Sequence, residues 1–201
     1  MVRDFFSRAT MKTAIAAGPA AVAAKASNYR RCHDIVMGYE GDASPTSRVV
    51  RQGPTQFGVT LGALKDFRQD QNLGIEDLKK LSRDEACEIY RTRYWNVLRC
   101  DDLPLGVDLV VFDFADADSG RAAKTLQQVV GAEADGSVGD ATLAATKAMP
   151  ASDVVKRISQ RRLEYYQALP DAANFIRGAM SRTNAVEKAA LDMMSAGRSA
   201  P

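Results

Sequence analysis

Residues 35–60 read IVMGYEGDASPTSRVVRQGPTQFGVT. An apolar helical turn, Ile35, Val36 and Met37, runs into Tyr39-Glu40-Gly41 and stops. A loop rich in Gly, Pro, Ser and Thr follows and closes on the extended run Gln56-Phe57-Gly58-Val59-Thr60. Glu40 therefore stands at the C-terminal end of a helix, facing a polar loop, and no other acid occurs from Ala43 to Lys65. A negative charge at a helix C-terminus opposes the macrodipole, so the position needs a reason. A carboxyl group half shielded by apolar neighbours has its charged form disfavoured and its pKa raised. That is the state a general acid requires at neutral pH. A solvated helix-end glutamate is the plainer reading of the same residue; catalysis is the one that explains its place.

On the N-terminal side, Tyr29 and Cys32 share a face with the apolar turn, which predicts a helix over 28–39. His33 lies inside it and reads as a surface or core residue, not a catalyst. Further upstream, Arg3, Arg8 and Lys12 precede an uncharged run, TAIAAGPAAVAA, at 13–24. It is too short to span a membrane. Two readings stay open: a secretory signal cut after Ala23 or Ala26, or a plain N-terminal helix or extension.

On the C-terminal side the run from Gln56 to Thr60 reads as an irregular β-hairpin, and a helix is expected over 61–70. Ser82 and Glu85 have the spacing of a capping box. The helix they start carries Ala86, Ile89, Tyr90 and Tyr94 on one face and ends near Trp95. Pro104 fits a first helical position, and Val107, Val110, Val111, Phe114 and Ala117 form an apolar stripe. Helix continues over 121–130 with Gly131 as its stop. Ser152 is expected to cap a helix carrying Val155, Ile158, Arg162 and Leu169 and ended by Pro170. A last helix carries Phe175, Ile176 and Met180.

With 201 residues, 46% hydrophobic and 26% charged, the chain holds one soluble domain or two small ones. A net charge of +2 suits an anionic polymer but is too small to argue nucleic-acid binding. Cys32, Cys87 and Cys100 have no metal-ligand spacing and no even disulfide framework, so buried free thiols are the simplest reading, although one pair could close. A single histidine nearly excludes a histidine triad or a multi-histidine metal site. No cofactor and no metal are expected.

Glu40-Gly41-Asp42-Ala43, Gln52-Gly53-Pro54-Thr55 and Gly58-Val59-Thr60 together resemble the N-terminal motif of glycoside hydrolase family 108, the N-acetylmuramidases of phage endolysins and secretion-associated muramidases. There a helix ends in Glu-Gly-Gly-Tyr and a Gly-Gly-x-Thr stretch leads to Gly-Ile-Thr. Tyr90-Arg91-Thr92-Arg93-Tyr94-Trp95 is similar to the family's Tyr-Arg-x-x-Tyr-Trp, and Phe112-Asp113-Phe114-Ala115 to its Phe-Asp-Phe-Ala. Asp135-Gly136 with Gly139 resembles a turn of peptidoglycan-binding helical modules. The resemblance covers residues 29–182. It departs at Asp42, which replaces a glycine, between Ser44 and Arg51, where the family's loop aspartate is missing, and at Ala179, which replaces a tryptophan.

The resemblance implies a mainly α, α+β lysozyme-like fold, helical with one small β-hairpin beside a cleft. It implies an extension at 1–28, a catalytic lobe at 29–103, a peptidoglycan-binding-like helical lobe at 104–196 sharing the central helix, and a tail at 197–201. The implied reaction is hydrolysis of the β-1,4 bond between N-acetylmuramic acid and N-acetylglucosamine, with Glu40 as general acid and Asp42 or Asp113 as the second carboxylate. Tyr39, Thr55, Thr60 and Trp95 are the implied substrate contacts, Trp95 by stacking on a sugar ring unless it is an ordinary core aromatic. Peptidoglycan glycan strands are the implied partner of a monomer that binds no nucleic acid and reaches the periplasm or cell exterior by its own segment, a holin or a secretion system. The alternative is a catalytically impaired peptidoglycan-binding or virion-structural protein on the same scaffold.

Overall fold

A computed structural model of the chain describes residues 19–40, 54–170 and 172–198. Helix α1 (Pro19–Glu40) comes first. An antiparallel pair follows residues 41–53: β1 (Thr55–Gln56) and β2 (Val59–Thr60). Then come α2 (Leu61–Arg68), α3 (Ile75–Lys79), α4 (Arg83–Tyr90), a π-helical turn (Arg91–Trp95) and a 3-10 turn (Cys100–Asp102). The C-terminal half is α5 (Val107–Val130), α6 (Asp140–Ala148), α7 (Ala151–Gln167) and α8 (Ala172–Arg198). The molecule is thus mainly helical with one two-stranded sheet, as the sequence predicts. Helix α1 is described from Pro19, so the division expected at residue 28 falls inside one continuous helix.

Helix α5 positions everything else. The stripe read from the sequence is only part of its buried surface, because every residue over 107–115 is buried. On one side Phe112 meets Tyr29, Tyr90 and Trp95 in edge-on contacts, with centroids 5.9, 6.4 and 5.4 Å away. On the other, Phe114 packs against Tyr165 and Tyr166 of α7. Burying one such side chain contributes about 1.5–3 kcal/mol, and edge-on aromatic pairs add about 0.5–1.5 kcal/mol each. The buried hydrophobic residues form a single core from Tyr29 to Met193, so the two expected lobes, 29–103 and 104–196, share it through α5. Cys32, Cys87 and Cys100 are buried free thiols within that core.

Local chemistry departs from expectation at four points. Ser82 caps α4 by accepting from the Glu85 backbone N–H, but the Glu85 carboxylate turns to Arg68 instead of closing the box. Helix α5 starts at Val107, not Pro104; Gly106 precedes it at φ 87°, and the Pro104 carbonyl accepts from the Val107 and Asp108 N–H groups. Asp118 breaks α5 with extended dihedrals (φ −165°, ψ 100°), and its carboxylate accepts from Arg121 N–H, so it caps the second half of the helix. Helix α7 begins at Ala151 after Pro150, which leaves Ser152 inside the helix.

Candidate active site

Glu40 is the last described residue of α1. Its side chain and residues 41–53, with Asp42 among them, lie outside what is described. Tyr39, the residue before it, is 37% exposed and available to a ligand.

The polypeptide re-emerges as the hairpin. Thr55 faces Thr60 and Gln56 faces Val59, which leaves Phe57-Gly58 as a two-residue turn. Both turn residues have positive φ, 51° and 74°, the combination that matches the twist of a tight hairpin. Val59 is buried and anchors the hairpin to the core. Thr60 leads directly into α2 and caps it, its hydroxyl oxygen accepting from Ala63 N–H at 3.2 Å. Thr60 thus has a structural duty, while Thr55 is exposed on the same rung.

Helices α2 and α4 are clamped by a two-pronged contact: Arg68 donates from Nε to Glu85 Oε1 and from Nη2 to Oε2, both at 2.7 Å. The guanidinium, first among the causes, holds the Glu85 carboxyl below its usual pKa. The first residue of α4, Arg83, carries its guanidinium over the Phe57 ring, 5.6 Å from the centroid. The sequence reading passed over Phe57 and Arg83. The two-residue spacing between Gln56 and Val59 is a hairpin-turn signal that points to Phe57, whereas nothing local links it to Arg83.

Two expected site residues are corrected. Trp95 has no exposed surface: it packs edge-on against Tyr29 and Phe112, and its Nε1 donates to Asp101 at 2.9 Å. The π-helical turn inserts an extra residue per turn, carrying Asn96 N–H to Arg91 O, and rotates this indole inward. A buried ring offers no face to a sugar. Asp113 is likewise fully buried, with Oδ2 accepting from Arg162 and Oδ1 from Arg182 at 2.9 Å. Burial alone would raise its pKa, but the two guanidiniums outweigh it and hold the carboxyl below the usual range. Asp113 therefore joins α5 to α7 and α8 and cannot serve as the second carboxylate.

Two further buried titratable groups line the inner side of α1. Asp108 accepts from Gly106 N–H and Leu109 N–H at 2.8 Å and from the Asn28 amide, tying α1 to the start of α5. Burial pushes its pKa up to about 6 against those hydrogen bonds. His33 is buried between Tyr29 and Tyr90, its Nε2 has no partner, and burial lowers its pKa, so it is a neutral core residue as expected. Among the described residues no cluster of His, Cys, Asp and Glu could hold a metal ion. No described helix is long and apolar enough to cross a membrane. A polar furrow of about 450 Å³ between α5 and α7, lined by Gln128, Arg157, Gln160 and Arg161, includes no residue of the Glu40 or hairpin region.

The sequence model of the family described as Glycosyl hydrolase 108 matches residues 34–117, the span from the last turns of α1 through the hairpin to Ala117 of α5. No curated protein matches the chain. Among solved structures it is similar to one titled "Structure of Brucella abortus SagA", with 32% identity and a TM-score of 0.74 over 84% of this chain and 96% of that one. With that likeness the fold is a mainly α, lysozyme-like one. The chain belongs to glycosyl hydrolase family 108.

Proposed function

We propose that the chain is an N-acetylmuramidase, cleaving the β-1,4 bond between N-acetylmuramic acid and N-acetylglucosamine with Glu40 as general acid. Membership of the family supports peptidoglycan hydrolysis in general; the bond and the acid are the proposal. The observation that carries it is Glu40, the last described residue of α1, inside the segment matched by the family. Glycoside hydrolysis needs one carboxylic acid to protonate the leaving oxygen and a second carboxylate as nucleophile or as base for water. With Asp113 sequestered by two arginines, Asp42 is the candidate for the second role. Tyr39 and Thr55 are the exposed substrate contacts, and Thr60 can still donate its hydroxyl hydrogen while it caps α2.

Turbidity loss of purified cell walls tests both carboxylates. Glu40→Gln and Asp42→Gly, each shown to fold like wild type, should lose turnover by at least a hundredfold, on the scale of about 10²–10⁴ for an acid–base group. Wild-type activity in Glu40→Gln would remove the catalytic assignment; activity in Asp42→Gly would remove only the second. We further propose a monomer that acts on glycan strands in the periplasm or outside the cell. N-terminal sequencing of secreted protein tests the signal reading of residues 1–28, and an intact start would leave a holin or a secretion system as the route. The sequestered Asp113 and the missing loop aspartate favour one second reading, a peptidoglycan-binding or virion-structural protein without turnover. Sedimentation with insoluble peptidoglycan, without release of new reducing ends, would establish it.

A further inference from the structure

Phe57 occupies the first turn position of the hairpin at φ 51°. Glycine or asparagine adopts that conformation at little cost, whereas a bulky side chain there is an outlier. Burial does not compensate for the strain, since Phe57 remains 37% exposed while Val59 anchors the hairpin. Strain held at an exposed position points to use at the surface. The neighbouring Arg83 is exposed, lies over the ring and has no carboxylate partner among the described residues. Both are fixed by the frame around them. Thr60 caps α2, Arg68 of α2 clamps Glu85 of α4, and Ser82 caps α4 one residue before Arg83. The ring and the cation lying over it therefore project together from a rigid support.

We propose that Phe57 and Arg83 form a carbohydrate subsite selective for muramyl sugars. The aromatic face stacks on a pyranose, and the guanidinium pairs with a carboxylate of the lactyl-peptide substituent. An aromatic ring offers an apolar platform to the C–H face of a sugar, and a guanidinium matches a carboxylate in a two-pronged geometry. A neutral N-acetylglucosamine polymer offers the ring its sugar but gives Arg83 nothing to hold. The pair therefore separates peptidoglycan from chitin by charge as well as by shape. This subsite deepens the muramidase reading and rests on it for its substrate class.

Sedimentation with insoluble peptidoglycan and with chitin, alongside thermal melts, tests the subsite without requiring turnover. Phe57→Asn should melt at or above the wild-type temperature, because asparagine tolerates the turn, and should bind both polymers about tenfold more weakly, the order expected for one aromatic contact. Phe57→Tyr should bind like wild type. Arg83→Gln should lose about fivefold for peptidoglycan alone and flatten its salt dependence. Wild-type affinity in Phe57→Asn would overturn the stacking role. Equal losses for both polymers in Arg83→Gln would overturn the carboxylate role. If wild type binds neither polymer, the subsite is wrong whatever the Glu40 assay gives. If wild type binds and the Phe57 and Arg83 variants behave as expected while no bond is cleaved, the subsite stands and the muramidase reading fails.

Discussion

Replacing Asp113 by asparagine tests whether this residue is part of the frame or part of the chemistry. Its side chain has no exposure, and neither does most of its surroundings: Arg162 is 5% and Arg182 15% exposed at the side chain. Arg162 also donates to the Tyr166 hydroxyl at 3.1 Å and lies over the Phe114 ring. An asparagine carries no charge and presents an amide to one of the two arginines; Arg182 keeps Asp116 at 3.5 Å, while Arg162 is left buried without an anion. Removing one partner of a buried pair costs about 3–5 kcal/mol. At about 2–4 °C per kcal/mol for a chain of this size, melting should fall by roughly 6–20 °C. The loss should also depend on pH. A carboxyl with a depressed folded pKa stabilises fully above the unfolded value and loses that contribution as pH falls through the folded one. Wild type and Asp113→Asn should therefore converge in acid and diverge at neutral pH. Urea titrations and melts give the stability, and turnover per folded molecule should change by less than about threefold, well under one acid–base group's contribution. A stability loss below about 1 kcal/mol with a hundredfold drop in turnover would refute the reasoning and restore Asp113 to the active site.

Two further outcomes concern the start of α5. Burial raises Asp108 to about 6, so the folded state binds more protons than the unfolded one between about pH 4 and pH 6 and stability falls as pH rises through that window. Asp108→Asn should gain on wild type at pH 7 relative to pH 4.5, by roughly 2 kcal/mol; parallel urea midpoints for the two proteins would exclude this. Gly106→Ala should cost about 1–3 kcal/mol in a thermal melt, since φ is 87° and a Cβ would meet Met194 Sδ at 2.9 Å and Ala190 O at 3.0 Å. A variant as stable as wild type would show that α8 yields there.

The helical frame was legible because its signals are local. Ser82, the apolar stripe from Val107 and the stop at Gly131 each act within a few residues, and Gly131 does end α5 at φ 72°. What failed depended on distant partners. Trp95 looks like a sugar platform until a π-helical turn aims it at Asp101 and Tyr29. Asp113 sits off the apolar stripe, and only Arg162 and Arg182, 49 and 69 residues away, explain why it is inside. Glu85 has capping-box spacing, yet the Arg68 guanidinium on α2 competes for it and wins, because a charge-assisted two-pronged contact is stronger than a single backbone N–H. Phe57 was visible in the sequence, but its positive φ follows from the register of Thr55 with Thr60.

These partnerships also bear on which carboxyl group can act as an acid. Glu85 is held by Arg68. The Arg68 guanidinium holds the Glu85 carboxyl below its usual pKa and so ionised, the wrong state for donating a proton to a leaving oxygen at neutral pH. Asp113 is committed in the same way by two arginines. Asp108 retains a proton more readily, but both its oxygens are engaged and it lies beneath α1. Asp101 is tied to the Trp95 indole and to Arg91. The required group must be protonated near neutrality and must reach a substrate: Glu85 and Asp113 fail the first condition, and Asp108, buried beneath α1, fails the second. The C-terminal end of a helix is a position where the macrodipole disfavours negative charge. The sequence places Glu40 at such an end, and the described part of α1 runs as far as this residue.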